Sequence, residues 1–146
     1  MISIDTSILL YAQDASCPEH QLALEFLRRH ADDPDIAICE LVLVELYILL
    51  RNPVVLSAPL SATDAAGVVQ AFRSNRRWSI IETAEGVMTE VWRMARRPDF
   101  PRRRVFDARL AITLRRSGVR AFATHNVDDF REFGFERVWD PIVEGF

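Results

Sequence analysis

Apolar positions along this chain follow two rhythms that alternate. Short β-branched or apolar runs at residues 2–5, 36–38, 78–81, 119–124 and 138–139 predict strands. Between them lie stretches with apolar residues three and four apart, the spacing of one helix face. They predict helices over residues 6–12, from about 16 to 30, 40–51, from 61 or 63 to 73, 84–96, 105–117 and 128–133. Several ends carry a chemical signal. Pro18 sits in a first turn, Asn52-Pro53 stops the helix before it, and Gly118 follows the helix ending at 117. Strands that alternate with helices predict an α/β fold with a mainly parallel sheet and right-handed crossovers.

Composition narrows this reading. A length of 146 residues suits a single domain over positions 1–146, and 49% hydrophobic residues suffice for a core. No apolar run nears the roughly 20 residues that cross a bilayer. The opening Met1-Ile2-Ser3-Ile4-Asp5 lacks the basic region of a secretory leader, so a cytoplasmic protein with no membrane contact is expected. Cys17 and Cys39 have no zinc spacing and are expected to be reduced thiols. All 18 basic residues are arginine. With no lysine, Schiff-base enzymes, Walker-type NTPases and lysine-dependent response regulators are excluded.

The positions of certain acids carry more information than the net charge of −3. Open parallel sheets bind ligands beyond the carboxyl ends of their strands. Asp5 ends the first predicted strand, although it could equally cap the helix that follows, a task Thr6 or Ser7 could share. Asn126, Asp128 and Asp129 follow the strand at 119–124, where one acid is expected to cap the next helix and the others exceed that need. Glu45 stands among Leu41, Val42, Ile48 and Leu49 at helical spacing, so it is expected to be buried and therefore neutralised, ion-paired or metal-bound. Asp107 shares a stripe with Leu110, Ala111 and Leu114, although an acid in a first turn also complements the helix dipole. The dipole accounts for Glu40 as well. Acids gathered in one pocket repel unless a cation sits among them. Oxygen ligands without His or Cys select a hard ion, Mg²⁺ or Mn²⁺. The residues alone therefore point to a metal-dependent hydrolase acting on a phosphodiester.

Four motifs in order extend the reading. Asp5-Thr6-Ser7 after an apolar strand, Glu45 within Leu43-Val44-Glu45-Leu46, Asp107-Ala108 opening a helix, and Thr124-His125-Asn126 followed by Asp129-Phe130 resemble the PIN domain. Arg51-Asn52-Pro53-Val54 and Pro59-Leu60-Ser61 are similar to the VapC-type toxins of bacterial toxin–antitoxin pairs. The resemblance spans the whole chain. It implies a three-layer α/β/α fold around about five strands and a Mg²⁺-dependent endoribonuclease, with Mn²⁺ able to substitute. By position, Asp5 and Asp107 would hold the metal, Glu45 and Asp129 would complete the acidic pocket, and Thr6, Ser7, Thr124 and Asn126 would support it. It also implies a small antitoxin whose arm enters the groove, and a homodimer. Two departures stand out. Ser7 replaces a common Asn, which weakens a hydrogen bond near Asp5, and Asn126 replaces a common Asp, which favours one firmly bound ion over two.

The segment at 93–104 is strongly basic, and Arg97, Arg102, Arg103 and Arg104 are candidates to hold RNA phosphates or acidic groups of an antitoxin. Phe100 is expected to pack inward, and His125 to face solvent rather than act as an acid. Trp78, Trp92 and Trp139 are expected in the core or a dimer contact. A dehalogenase-type phosphatase fails because Ser7 replaces its second Asp, and a metal-dependent adhesion motif fails at Leu9. A binding module that keeps the fold without cleavage stays open, favoured by Ser7 and Asn126 and opposed by Asp5, Glu45 and Asp107. So does a housekeeping RNA-processing nuclease.

Overall fold

The computed structural model describes residues 1–145. Five parallel strands, β1 (Ile2–Ile4), β2 (Ile36–Cys39), β3 (Ser79–Ile81), β4 (Ala121–Ala123) and β5 (Arg137–Trp139), lie in the order β3-β2-β1-β4-β5. The helices are α1 (Thr6–Tyr11), α2 (His20–Arg29), α3 (Glu40–Leu50), α4 (Ala62–Arg73), α5 (Val87–Ala95), α6 (Arg104–Arg116), α7 (Val127–Phe130) and α8 (Pro141–Glu144). A 3₁₀ turn, Arg131–Phe133, continues α7.

Every element that the hydrophobic pattern predicts is present, with some ends trimmed and others, as in β2 and β5, extended by a residue. The helix anticipated from residue 84 begins only at Val87, because Gly86 takes a left-handed φ of 74°. A Cβ there would approach the Arg116 guanidinium at 3.1 Å. α2 starts at His20 rather than near 16, since Asp14 accepts hydrogen bonds from the backbone and hydroxyl of Ser16 and ties that stretch into a turn. Ser61 caps α4 through the Asp64 amide at 3.1 Å, and Gly118 follows α6 at φ 87°.

Strand order sets the layers. The chain steps from β1 to β2 to β3 in one direction, then crosses back to β4 and on to β5. Right-handed crossovers therefore put α1–α4 on one face and α5–α7 on the other. The helix contacts agree: α1 packs on α2 and α3, α3 on α4, and α2 on α8, while α5 packs on α6 and α6 on α7. The core lies mostly around the central strands, with Ile4, Ile36, Ile38 and Phe122 fully buried. Each contributes roughly 1.5–3 kcal/mol by leaving water. A smaller cluster of Val87, Val91, Ala108 and Ile112 joins α5 to α6, with Phe100 packed against it as anticipated.

The sheet changes direction between β1 and β4. Such a reversal opens a crevice beyond the strand ends, because the two connections leave to opposite faces. Asp5 follows β1 there, and Thr124 follows β4.

Candidate active site

Asp5 is the fixed point of the crevice. It is 5% exposed, and its Oδ2 accepts the Ser7 hydroxyl at 2.8 Å and the Thr124 hydroxyl at 2.7 Å. Asp5 is the N-cap residue of α1 without a cap hydrogen bond from its side chain, yet the Thr6 and Ser7 amides lie close enough to favour its charged form. The two hydroxyls also reach across the crevice: Thr124 Oγ1 accepts the Asn126 amide at 3.0 Å, and Ser7 Oγ accepts the His125 amide at 3.2 Å. These bonds lace the loop after β4 to the start of α1. Burial pushes the Asp5 carboxyl above its usual pKa, opposed by the hydroxyls of Thr124 and Ser7. The Ser7 bond anticipated as weak is fully formed, because a short side chain two residues on suffices to reach the carboxylate.

Thr6 turns toward α3 instead. Its hydroxyl is buried and donates to Glu45 Oε2 at 2.6 Å. Glu45 itself is exposed, which corrects the expectation of burial. The helix α3 is apolar on nearly every side, and only the face of Val42, Leu43, Leu46 and Leu50 packs inward, leaving Val44 and Ile48 57% and 58% exposed. Glu45 borders that outer face, so apolar neighbours in the sequence do not enclose it.

Asp107 reports on the whole group. It lies half-buried in the first turn of α6, with no hydrogen bond or ion pair to any described residue. Its pKa is pushed up to about 6, first by loss of water and then by the negative charges of Asp129, Asp5 and Glu45, with Arg104 opposing. The other three acids singled out in the sequence therefore all lie close enough to act on Asp107. Asp129 is exposed in the first turn of α7, whereas Asp128 pairs with Arg131 at 3.1 Å. The residue at the α7 N-cap is Asn126, not an acid as anticipated, and it is exposed with no side-chain cap bond. Among the described residues, no three Asp, Glu, His or Cys side chains close around one ion-sized point.

Positive charge does not fill the crevice. Arg104, anticipated as free for phosphates, pairs with Glu132 at 3.0 Å and lies over the Phe133 ring. Its position at the start of α6 brings it within reach of that acid. Arg97, Arg102 and Arg103 are exposed, and no described acid pairs with them. Glu40 is ion-paired with Arg73. Trp78 and Trp139 are buried, while Trp92 is 57% exposed on α5.

One member of the neighbourhood escaped the sequence reading. Asp140 is 6% exposed, caps α8 through the Ile142 amide at 2.9 Å and faces His125 Nδ1 at 2.7 Å. The Asp-Pro pair signals a helix start, and nothing in the sequence shows that its second oxygen reaches a histidine.

Chemically, this is an all-oxygen, negatively charged crevice whose acids Asp5, Glu45, Asp107 and Asp129 make no ion pair among the described residues, Arg104 being the one cation that acts on Asp107. Such a donor set suits a hard divalent cation.

Comparison with known proteins identifies the fold and the relatives. The PIN domain model matches residues 2–136. Ribonuclease VapC24 of Mycobacterium tuberculosis, in strains CDC 1551 / Oshkosh and ATCC 25618 / H37Rv, is 59% identical over 143 residues, covering 98% of each chain. Two solved structures share the fold at 19% identity. VapC20 of M. tuberculosis, a sarcin–ricin-loop-cleaving toxin, superposes with a TM-score of 0.67 over 88% of this chain and 92% of its own. VapBC2 of Rickettsia felis, solved on a DNA fragment of its promoter, gives 0.61 over 96% and 98%.

Proposed function

Because this chain belongs to the PIN-domain family, in its VapC branch, we propose that it is a Mg²⁺-dependent endoribonuclease and the toxin half of a toxin–antitoxin pair. The observation that carries the reading is the Asp107 carboxyl, lifted to about 6 first by burial and then by the charges of Asp129, Asp5 and Glu45, with Arg104 opposing but no ion pair to any described residue. Asp5 and Asp107 would hold the ion. Mg²⁺ keeps several of its waters and commonly takes one or two protein carboxylates plus substrate phosphates, so a closed three-acid cage is not required. The ion supplies activation of a water and offsets charge developing on the phosphoryl oxygen.

The chain's own residues do the rest. Ser7 and Thr124 hold one Asp5 oxygen, which fixes how the carboxylate faces the crevice. Thr6 anchors Glu45, whose free oxygen can accept a proton from the attacking water. Asp129 adds negative charge at the β4 side. Arg97, Arg102 and Arg103 form a basic rim for the RNA backbone or for acidic groups of a small antitoxin protein. Function as a homodimer in the cytoplasm, with Mn²⁺ accepted in place of Mg²⁺, completes the proposal.

The test is cleavage of a random-sequence single-stranded RNA pool with Mg²⁺ and with EDTA. Wild type is expected to cut only with the metal, and Asp5→Asn and Asp107→Asn to cut at least 100-fold more slowly while staying folded. Normal cleavage by both variants would overturn the proposal. Binding of RNA without cleavage by wild type would favour the binding module, for which the exposed, uncharged Asn126 is the supporting feature.

A further inference from the structure

We infer that His125 reads the ribose 2′-hydroxyl of the substrate, held in register for that task by Asp140. The inference rests on RNA being the substrate, as proposed above.

The geometry is specific. His125 follows Thr124, whose hydroxyl binds Asp5, and the His125 amide donates to the Ser7 hydroxyl that binds the same Asp5 oxygen. The ring therefore starts two hydrogen bonds from the metal-binding candidate. Its Nδ1 lies 2.7 Å from Asp140 Oδ2, and the Tyr11 ring meets it edge-on at 5.5 Å. Asp140 is buried, and its other oxygen accepts the Ile142 amide. The orienting carboxylate is thus tied to α8 and cannot follow the imidazole if it turns. Nε2 makes no hydrogen bond to a described residue, and 41% of the side chain remains exposed.

This arrangement assigns the tautomer. A carboxylate only accepts, so the hydrogen of the neutral imidazole sits on Nδ1 and the lone pair on Nε2. A buried acid holding an exposed ring by one nitrogen is more than surface chemistry needs. The outward nitrogen is then an acceptor on a residue whose amide lies two hydrogen bonds from Asp5. A phosphodiester offers it no hydrogen, whereas a 2′-hydroxyl donates. That hydroxyl is also the group that separates RNA from DNA.

The experiment is a double-mutant cycle on kcat/KM. A short RNA that wild type cuts, selected from the random pool, is remade with a single 2′-deoxy residue at each position flanking the cut. At one position wild type is expected to lose about 5-fold, the size of one ordinary hydrogen bond. His125→Phe keeps a ring against Tyr11 and removes both nitrogens. It is expected to cut the all-RNA strand about 5-fold more slowly and to be indifferent to deoxy substitution at that position. Asp140→Asn, with the histidine intact, is expected to lose part of the same discrimination, and thermal melting checks that each variant folds. Additive losses at every position, or wild-type discrimination by His125→Phe, would overturn the inference and leave the nuclease reading standing. If wild type cuts no RNA, the nuclease reading falls and this inference falls with it.

Discussion

Replacing Asp107 by Asn should stabilise the protein while disabling it. On folding, the Asp107 carboxyl goes from an ordinary 3.8 to about 6. By linkage, an ionised group carrying that difference costs the folded state roughly 3 kcal/mol near neutral pH. Its partial contact with water screens the repulsion, so about 1–2 kcal/mol is the working figure. Asn keeps the shape and removes the charge, and no described residue donates a hydrogen bond that the change would break. The sign follows from proton counting. Between about pH 4 and 6 the folded state holds the Asp107 proton more tightly than the unfolded chain does, so its wild-type contribution to stability falls as pH rises through that window. In EDTA, urea unfolding should therefore show Asp107→Asn more stable than wild type by about 1–2 kcal/mol at pH 7.5, with the gap closing toward pH 4. Millimolar Mg²⁺ should then raise the wild-type midpoint and leave the variant unmoved. A less stable variant in EDTA at pH 7.5, or a gap that does not change with pH, would refute the electrostatic reasoning.

Three further outcomes are expected. Asp5→Asn retains an amide oxygen for the Ser7 and Thr124 hydroxyls, so its melting temperature should stay within a few degrees of wild type while Mg²⁺-dependent cleavage, read on a gel, falls at least 100-fold. Thr6→Val removes the donor to Glu45 and should lower kcat about 3- to 10-fold with at most ~1.5 kcal/mol of lost stability; an unchanged kcat would show that Glu45 needs no anchor. Arg102→Ala and Arg103→Ala should each reduce the slope of log RNA affinity against log salt by about 1, whereas Arg104→Ala, whose guanidinium is committed to Glu132, should leave that slope near the wild-type value.

What was legible in the sequence follows the range of the interactions involved. The strands and long helices were readable because hydrophobic period is a local property, and β1 with its terminal Asp5 needs five residues to be recognised. The position of Asp5 was readable too, since an acid at the end of a strand lies at the ligand-binding edge once the sheet is parallel, whereas Glu45 and Asp107 reach its neighbourhood from inside helices. Exposure was not. Glu45 looked enclosed because helical neighbours at three and four residues were apolar, yet which side of an all-apolar helix faces inward is decided by α1 and α4, not by α3 itself. The same holds for Arg104, whose partner lies 28 residues away, and for Asp140, which meets His125 across 15 residues of intervening chain. Each of these partners is set by tertiary packing, which no local pattern encodes.

The four acids divide the electrostatic strain unequally, and the division has a direction. Asp5 is the most buried, but two hydroxyls soften its isolation. Glu45 has Thr6 and water, and Asp129 has water alone. Asp107 has neither a hydroxyl donor nor full solvent, and it faces the other three charges. Several acids outside the crevice are treated differently: Glu40, Asp128, Glu132 and Glu90 each have an arginine within reach. A fold with 18 arginines to deploy leaves Asp107 without an ion pair, the one arginine that acts on it, Arg104, being bound to Glu132. Selection for stability alone would have removed Asp107 or paired it, as the Asn replacement does on paper. Its retention is intelligible if the missing positive charge arrives from outside, with the ion and the substrate, and leaves again.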